Sequence, residues 1–86
     1  MKPYVEEKLS EKVSIRTFSD DIDEAELEWH WDEEDRIVEA INETDWMFQF
    51  ENQLPFPLKD MLFIPKDTYH RLIKGTGNLN IQILEY

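Results

Sequence analysis

Leu27-Glu28-Trp29-His30-Trp31-Asp32 is the stretch on which the reading of this chain turns. Successive side chains of an extended strand point to opposite faces. Leu27, Trp29 and Trp31 therefore share one face, and Glu28, His30 and Asp32 share the other. The same alternation recurs on both sides of it. Residues 13–18 set Val13, Ile15 and Thr17 against Ser14, Arg16 and Phe18, and residues 46–50 set Trp46, Phe48 and Phe50 against Met47 and Gln49. A short apolar run at 61–64 stops at Pro65, and residues 69–73 and 79–84 are rich in strand-forming side chains. Between these last two, Gly75-Thr76-Gly77-Asn78 reads as a turn.

Pro3, Pro55, Pro57 and Pro65 cut the rest of the chain into short pieces, as strands joined by turns require. Residues 32–43 fit less simply. Ile37, Val38 and Ile41 have a spacing that serves a helix as well as a strand, and Asp32 is a suitable helix cap. The flanking segments are strands, so a strand is expected there. A short helix near residues 20–26 is compatible with the pattern. The expected fold class is all-β.

The chain has 86 residues, room for one domain rather than two. Hydrophobic residues are 41% and aromatics 13%, enough to build a core, although a domain this small buries a modest share of its surface. Twenty Asp and Glu against nine Lys and Arg give a formal net charge of −11, which repels nucleic-acid phosphate and anionic membranes. All the acids except Asp67 and Glu85 precede Met61, and they read chiefly as a solvated rim. They lack the spacing and the glycine of an EF-hand calcium loop. The absence of cysteine excludes disulfides, thiolate chemistry and Cys-ligated zinc. Residues 1–7 do not read as a signal peptide, and no apolar run approaches membrane-spanning length. A cytoplasmic protein is expected.

Two histidines, His30 and His70, lie on expected strands, and Asp32 shares the face of His30. Two imidazoles and a carboxylate are a suitable ligand set for a divalent first-row metal. Whether His70 reaches the same point depends on the strand pairing.

Two segments carry a resemblance. Ile64-Pro65-Lys66-Asp67-Thr68-Tyr69-His70-Arg71-Leu72-Ile73 resembles the second motif of the cupin family: Pro, any residue, Gly, two of any, His, with apolar flanks. Glu28-Trp29-His30-Trp31-Asp32, followed by residues 33–38, resembles the first, which has His, any residue, His and then Glu after three or four residues. With the strands between and after, the resemblance covers residues 27–85. It implies one small jelly-roll or cupin-type β-barrel spanning residues 1–86. Asp32 stands at the second His, Arg36 (or Ile37 under the longer spacing) at the ligating Glu, Asp67 at the Gly of the second motif, Lys59 at the Gly before its strand, and Lys74 at its closing Asn. Asp67 can take the left-handed backbone that Gly would favour.

The resemblance implies a metal site of His30, Asp32 and His70, holding iron, manganese, nickel or zinc. Arg36 and Tyr69 would orient a small, acidic molecule, and Gln49 and Gln82 would add polar groups to the pocket. Arg36 also has a plainer reading, an ion pair with Asp32 or another nearby acid. Three functions follow: a metal-dependent enzyme on small molecules, a metal-free binding or structural module, and metal-free acid–base catalysis by the His30–Asp32 pair, as in some cupin-like sugar epimerases. Trp29 and Trp31 are expected to pack, and an exposed Leu27-Trp29-Trp31 face would be an apolar patch that monomers seldom tolerate, so a homodimer is expected.

Overall fold

The computed structural model describes residues 2–86. Eight strands form two antiparallel sheets. They are β1 (Val5–Lys8), β2 (Val13–Phe18), β3 (Arg36–Ala40), β4 (Met47–Phe50), β5 (Phe56–Pro57), β6 (Leu62–Ile64), β7 (His70–Ile73) and β8 (Leu79–Glu85). The larger sheet has the order β1-β2-β8-β3-β6 and the smaller one β5-β4-β7. From β3 onward the chain passes repeatedly from one sheet to the other, so the two are laced together along their length.

Alternation decides what faces the interior. On β8, Leu79, Ile81 and Ile83 are buried while Gln82 between them is exposed. Val38 on β3 and Phe18 on β2 extend that inner face, and Phe48 on β4 meets it from the smaller sheet. Trp46 is fully buried just before β4, and its indole Nε1 donates to Gly77 O at 2.9 Å, so its one polar atom is satisfied inside the core. Residues 36–40 form a strand, as the flanking strands implied. The short helix near residues 20–26 is a single 3₁₀ turn, Glu24–Glu26, capped by the Asp23 carboxylate on Ala25 N.

Residues 27–31 are not a strand. Only His30 pairs, as an isolated bridge to His70. The 3₁₀ turn ends at Leu27 and buries it in the core, and two residues after His30 the Asp32 carbonyl accepts Asp67 N at 2.8 Å as the chain crosses towards β3. There is no length left for a ladder. The Leu27-Trp29-Trp31 face therefore does not exist as a surface: Leu27 is inside, while Trp29 and Trp31 are exposed and Trp29 lies under the Arg71 guanidinium at 4.6 Å. Outward apolar side chains gather instead across the larger sheet, where Phe63, Ile37, Leu84 and Val13 stand opposite one another on β6, β3, β8 and β2.

The expected turn at residues 75–78 depends on a close approach. Asp45 accepts from Thr76 N at 2.8 Å and from Thr76 Oγ1 at 2.7 Å, which draws the backbone of residues 45 and 46 against Gly75. A Cβ on Gly75 would stand 2.7 Å from Trp46 N and 2.8 Å from Asp45 C, both backbone atoms that cannot swing away. Gly75→Ala is expected to lose about 1–3 kcal/mol, the ordinary cost of overpacking. In a domain of this size each kcal/mol lowers Tm by roughly 4–8 °C, so a melting curve reads it directly.

Candidate functional site

His30 and His70 are forty positions apart, and a reciprocal backbone pair joins them. His30 N donates to His70 O at 3.0 Å, and His70 N donates to His30 O at 2.9 Å. The imidazoles then meet edge to face, with centroids 4.3 Å apart. His70 is buried, its ring stacked on Phe48 at 5.3 Å, whereas His30 is exposed. The turn before β7 is clasped to the chain ahead of β3. Asp67 N bonds Asp32 O at 2.8 Å, and Lys66 N bonds the Asp35 carboxylate at 2.8 Å. Asp67 sits at φ 59°, the left-handed conformation expected of it.

Each imidazole is oriented by its own backbone. His70 Nδ1 contacts Thr68 O at 2.8 Å, and His30 Nδ1 contacts Glu28 O at 3.0 Å. A carbonyl only accepts, so each Nδ1 carries the proton. In a neutral ring Nε2 is then the bare nitrogen, the orientation typical of a metal-binding histidine. One ligand atom each from His30, Asp32 and His70 lies within 4.8 Å of the others.

Asp32 joins the two sheets electrically. Its Oδ1 is 3.3 Å from Arg36 Nη1, and Arg36 Nη2 is 3.4 Å from Glu85 Oε2. Its Oδ2 is 3.3 Å from His70 Nε2, yet it is buried without a hydrogen-bond partner among the described residues. Burial is the largest single influence on this carboxyl and opposes ionisation. The contact with His70 and the charges of Arg36, His30 and His70 together outweigh it, and Asp32 is held below the ordinary carboxylate value.

His30, Asp32, Arg36 and His70 line a cavity of about 340 Å³ between the sheets. Its walls are mainly apolar, with Val38, Phe48, Leu72, Ile81 and Ile83 prominent, and the exposed Glu26 and Glu28 line it too. The expected site residues divide. His30, Asp32, His70 and Arg36 line the cavity, and Arg36 is engaged by two carboxylates, as its plainer reading had it. Gln49 and Tyr69 do not line it. The pairing of Phe50 with His70 turns those two inward, so their chain neighbours Gln49 and Tyr69 face out. Gln49 accepts from Arg71 Nε at 2.9 Å and donates to Gln53 O, and Tyr69 is exposed. Gln82 is exposed on the outer face as well.

Two lining or supporting groups escaped the sequence. Glu85 follows the parity of Leu79, Ile81 and Ile83, and that alternation carried the signal. Arg16 lines the cavity opposite Ile81, stacked over Tyr4 at 4.1 Å and bonded through Nε to Glu6 at 2.8 Å. Nothing local marked it, because Val13 and Ile15 make the other face of β2 look like the core.

No protein-family model and no curated protein sequence matches the chain. Solved structures do. An RmlC-like cupin family protein with a double-stranded β-helix fold from Methanocaldococcus jannaschii aligns at TM-score 0.65 and 16% identity, over 99% of this chain and 81% of that one. A DMSP lyase from Ruegeria pomeroyi DSS-3 aligns at TM-score 0.73 and 13% identity, over 96% of this chain and 46% of the lyase. Fe(II)-HppE with an alternative substrate aligns at 0.71 and 11%, over all of this chain and 51% of that one. The chain thus has the cupin fold, a double-stranded β-helix, and spans about half the length of the lyase and of HppE.

The lowered Asp32 value has a definite sign. Stabilisation from its ionised form is present in full above the unfolded carboxylate value, about 3.9, and is lost as pH falls through the lower folded value. Asp32→Asn should therefore be less stable than the wild type at pH 7, and the gap should close on acidification below about pH 4, measured by urea unfolding at both pH values.

Proposed function

We propose that the chain is a metal-binding cupin whose cavity receives a small molecule, with His30, Asp32 and His70 as the protein ligands. One observation carries the reading. Asp32 Oδ2 is buried without a donor and faces His70 Nε2 at 3.3 Å, a nitrogen that bears a lone pair in the neutral ring. Two lone pairs at that distance need a positive centre between them. Metal–ligand bonds of about 2.0–2.2 Å put two donors on one ion roughly 3.0–3.5 Å apart, which this pair already meets. The donor set of two nitrogens and one oxygen suits iron, manganese, nickel or zinc. The likeness of fold to Fe(II)-HppE supports the same reading.

A bound ion would supply Lewis-acid or redox chemistry to a ligand beside it. The chain's own residues do the rest. Thr68 O and Glu28 O hold the two imidazoles with Nε2 free, Arg36 takes Oδ1 of Asp32 and leaves Oδ2, and apolar side chains line the rest of the chamber.

A second reading, a metal-free binding module, draws on Arg36. Arg36 stands in the sequence where the cupin motif has its ligating Glu, and its guanidinium already neutralises part of the Asp32 charge. In that case a second proton on His70 supplies the positive centre. The two readings separate on metal. Elemental analysis should find a transition metal in protein purified without chelator. Adding the ion at 100 times its Kd should stabilise the fold by about 2.7 kcal/mol, a rise in Tm of roughly 10–20 °C. His30→Ala changes an exposed side chain and should remove that rise. A rise that persists takes His30 out of the site, and no metal with no rise leaves the metal-free module.

We also propose a homodimer, now through the outer face of the larger sheet. Phe63 is 52% exposed there and continues across Ile37, Leu84 and Val13. Light scattering at micromolar concentration should give twice the 10.4 kDa chain mass, and Phe63→Glu should return it to the monomer mass. A monomeric wild type would dispose of the dimer.

A further inference from the structure

We propose that the outer face of the smaller sheet carries a second binding site, a concavity of Trp29, Tyr69 and Glu51 that takes a methylated ammonium group. It is separate from the cavity between the sheets and does not depend on the metal reading.

The pairing that joins His30 to His70 turns their chain neighbours outward. Tyr69 precedes His70 and Trp29 precedes His30, and both rings are exposed. Glu51 N donates to Tyr69 O at 3.0 Å, which carries the pairing of β4 with β7 one step further and sets Glu51 across from Tyr69. Trp29 lies under Arg71, whose Nε donates to Gln49 Oε1 at 2.9 Å on the same outer face. Trp29, Tyr69 and Glu51 together line a concavity of about 300 Å³, and none of the three lines the cavity between the sheets.

All three lining groups attract the same kind of ligand. The faces of an indole and a phenol are the negative poles of their ring quadrupoles, and they attract cations at contact. Glu51 adds an exposed carboxylate that takes no part in the ion pairs of the described residues. Arg71 is the cation beside the site. It stands 4.6 Å from the Trp29 ring, outside the lining, and shows that this ring already serves as a cation platform. Its charge offsets part of that of Glu51, so selection rests on contact with the rings and the carboxylate rather than on a net local charge. A methylated ammonium fits that contact. Its methyl groups pack on the rings while its charge meets π faces and carboxylate, whereas a bare ammonium is strongly hydrated and gives up its water reluctantly. An anion meets only repulsive groups, and a neutral group of the same shape gains burial alone.

The test uses the whole chain, isotopically labelled, with a chelator present so that the outcome is independent of the metal reading. Choline chloride is titrated in, with sodium chloride holding the ionic strength constant. The NMR signals of the Trp29 indole and of the Tyr69 and Glu51 amides report binding. The control ligand is the neutral alcohol in which a tert-butyl group replaces the trimethylammonium. Choline should bind at least about fivefold more tightly than this alcohol, the gain expected of two exposed cation–π contacts. Trp29→Leu and Glu51→Gln should each weaken choline binding by about threefold or more. Both change exposed side chains, so the fold should survive them. Trp31→Leu alters an exposed ring outside the lining and should leave binding unchanged. A peptide bearing trimethyl-lysine, titrated beside choline, separates the two sources of this chemistry: the tighter of the two names a protein side chain or a small molecule. Choline binding no better than the alcohol, no saturable shift at the three residues, or indifference to both lining variants would overturn the proposal. So would an equal loss in Trp31→Leu, which would mean adherence to exposed aromatics in general.

Discussion

The reciprocal hydrogen-bond pair between His30 and His70 is the contact on which the arrangement of this molecule depends. It is one bridge, not a ladder, and it joins segments that the chain separates by the β4–β5 hairpin and repeated crossings between the sheets. On one side it continues the smaller sheet past β7 by a single residue. On the other it starts the crossing that brings Asp32 and then Arg36 to the larger sheet. Because antiparallel pairing sets residues directly opposite one another, the two imidazoles are held in contact rather than merely near. The turn at Lys66 and Asp67 reinforces this with two bonds to the residues ahead of β3.

Electrostatics follows from that placement. Asp32 lies at the seam of the two sheets, with His70 on one side and Arg36 on the other, and Arg36 carries the contact on to Glu85 at the end of β8. Each carboxylate oxygen of Asp32 consequently has a different task. Oδ1 meets a guanidinium, while Oδ2 is buried with no hydrogen-bond donor among the described residues. A buried polar atom without a partner is expensive, and such atoms are uncommon in folded proteins. Its position 3.3 Å from His70 Nε2 is the observation on which the proposed metal site rests. Arg36, 3.3 Å from Asp32 Oδ1, neutralises part of the Asp32 charge.

Much of the architecture was legible in the chain. Residues 13–18 are β2 to the residue, β4, β6 and β7 lie within the expected segments, and β8 runs one residue past its expected end, to Glu85. Strong alternation and Pro or Gly punctuation made them so. The segment at residues 36–40 resolved as strand because β8 and β6 pair with it on either side, a tertiary fact that settles an ambiguous local spacing. The segment of clearest alternation, residues 27–31, was the misleading one. Its Trp and His residues alternate as in a strand, but the 3₁₀ turn before it and the sheet crossing after it leave only His30 in position to pair.

For the site, the chemistry on offer is written in the chain: two imidazoles, a carboxylate sharing a parity with one of them, no thiol, and a guanidinium four residues further on. Those are properties of residue type and local spacing. Which of them meet is a matter of strand pairing across the fold. It brought His70 onto His30, linked Arg36 to both Asp32 and Glu85, placed Arg16 in the wall, and turned Gln49 and Tyr69 outward. The reason is physical: strand parity fixes which residues share a face, but the register between strands far apart in the chain fixes which faces meet, and register is set by packing across the core rather than by any local pattern.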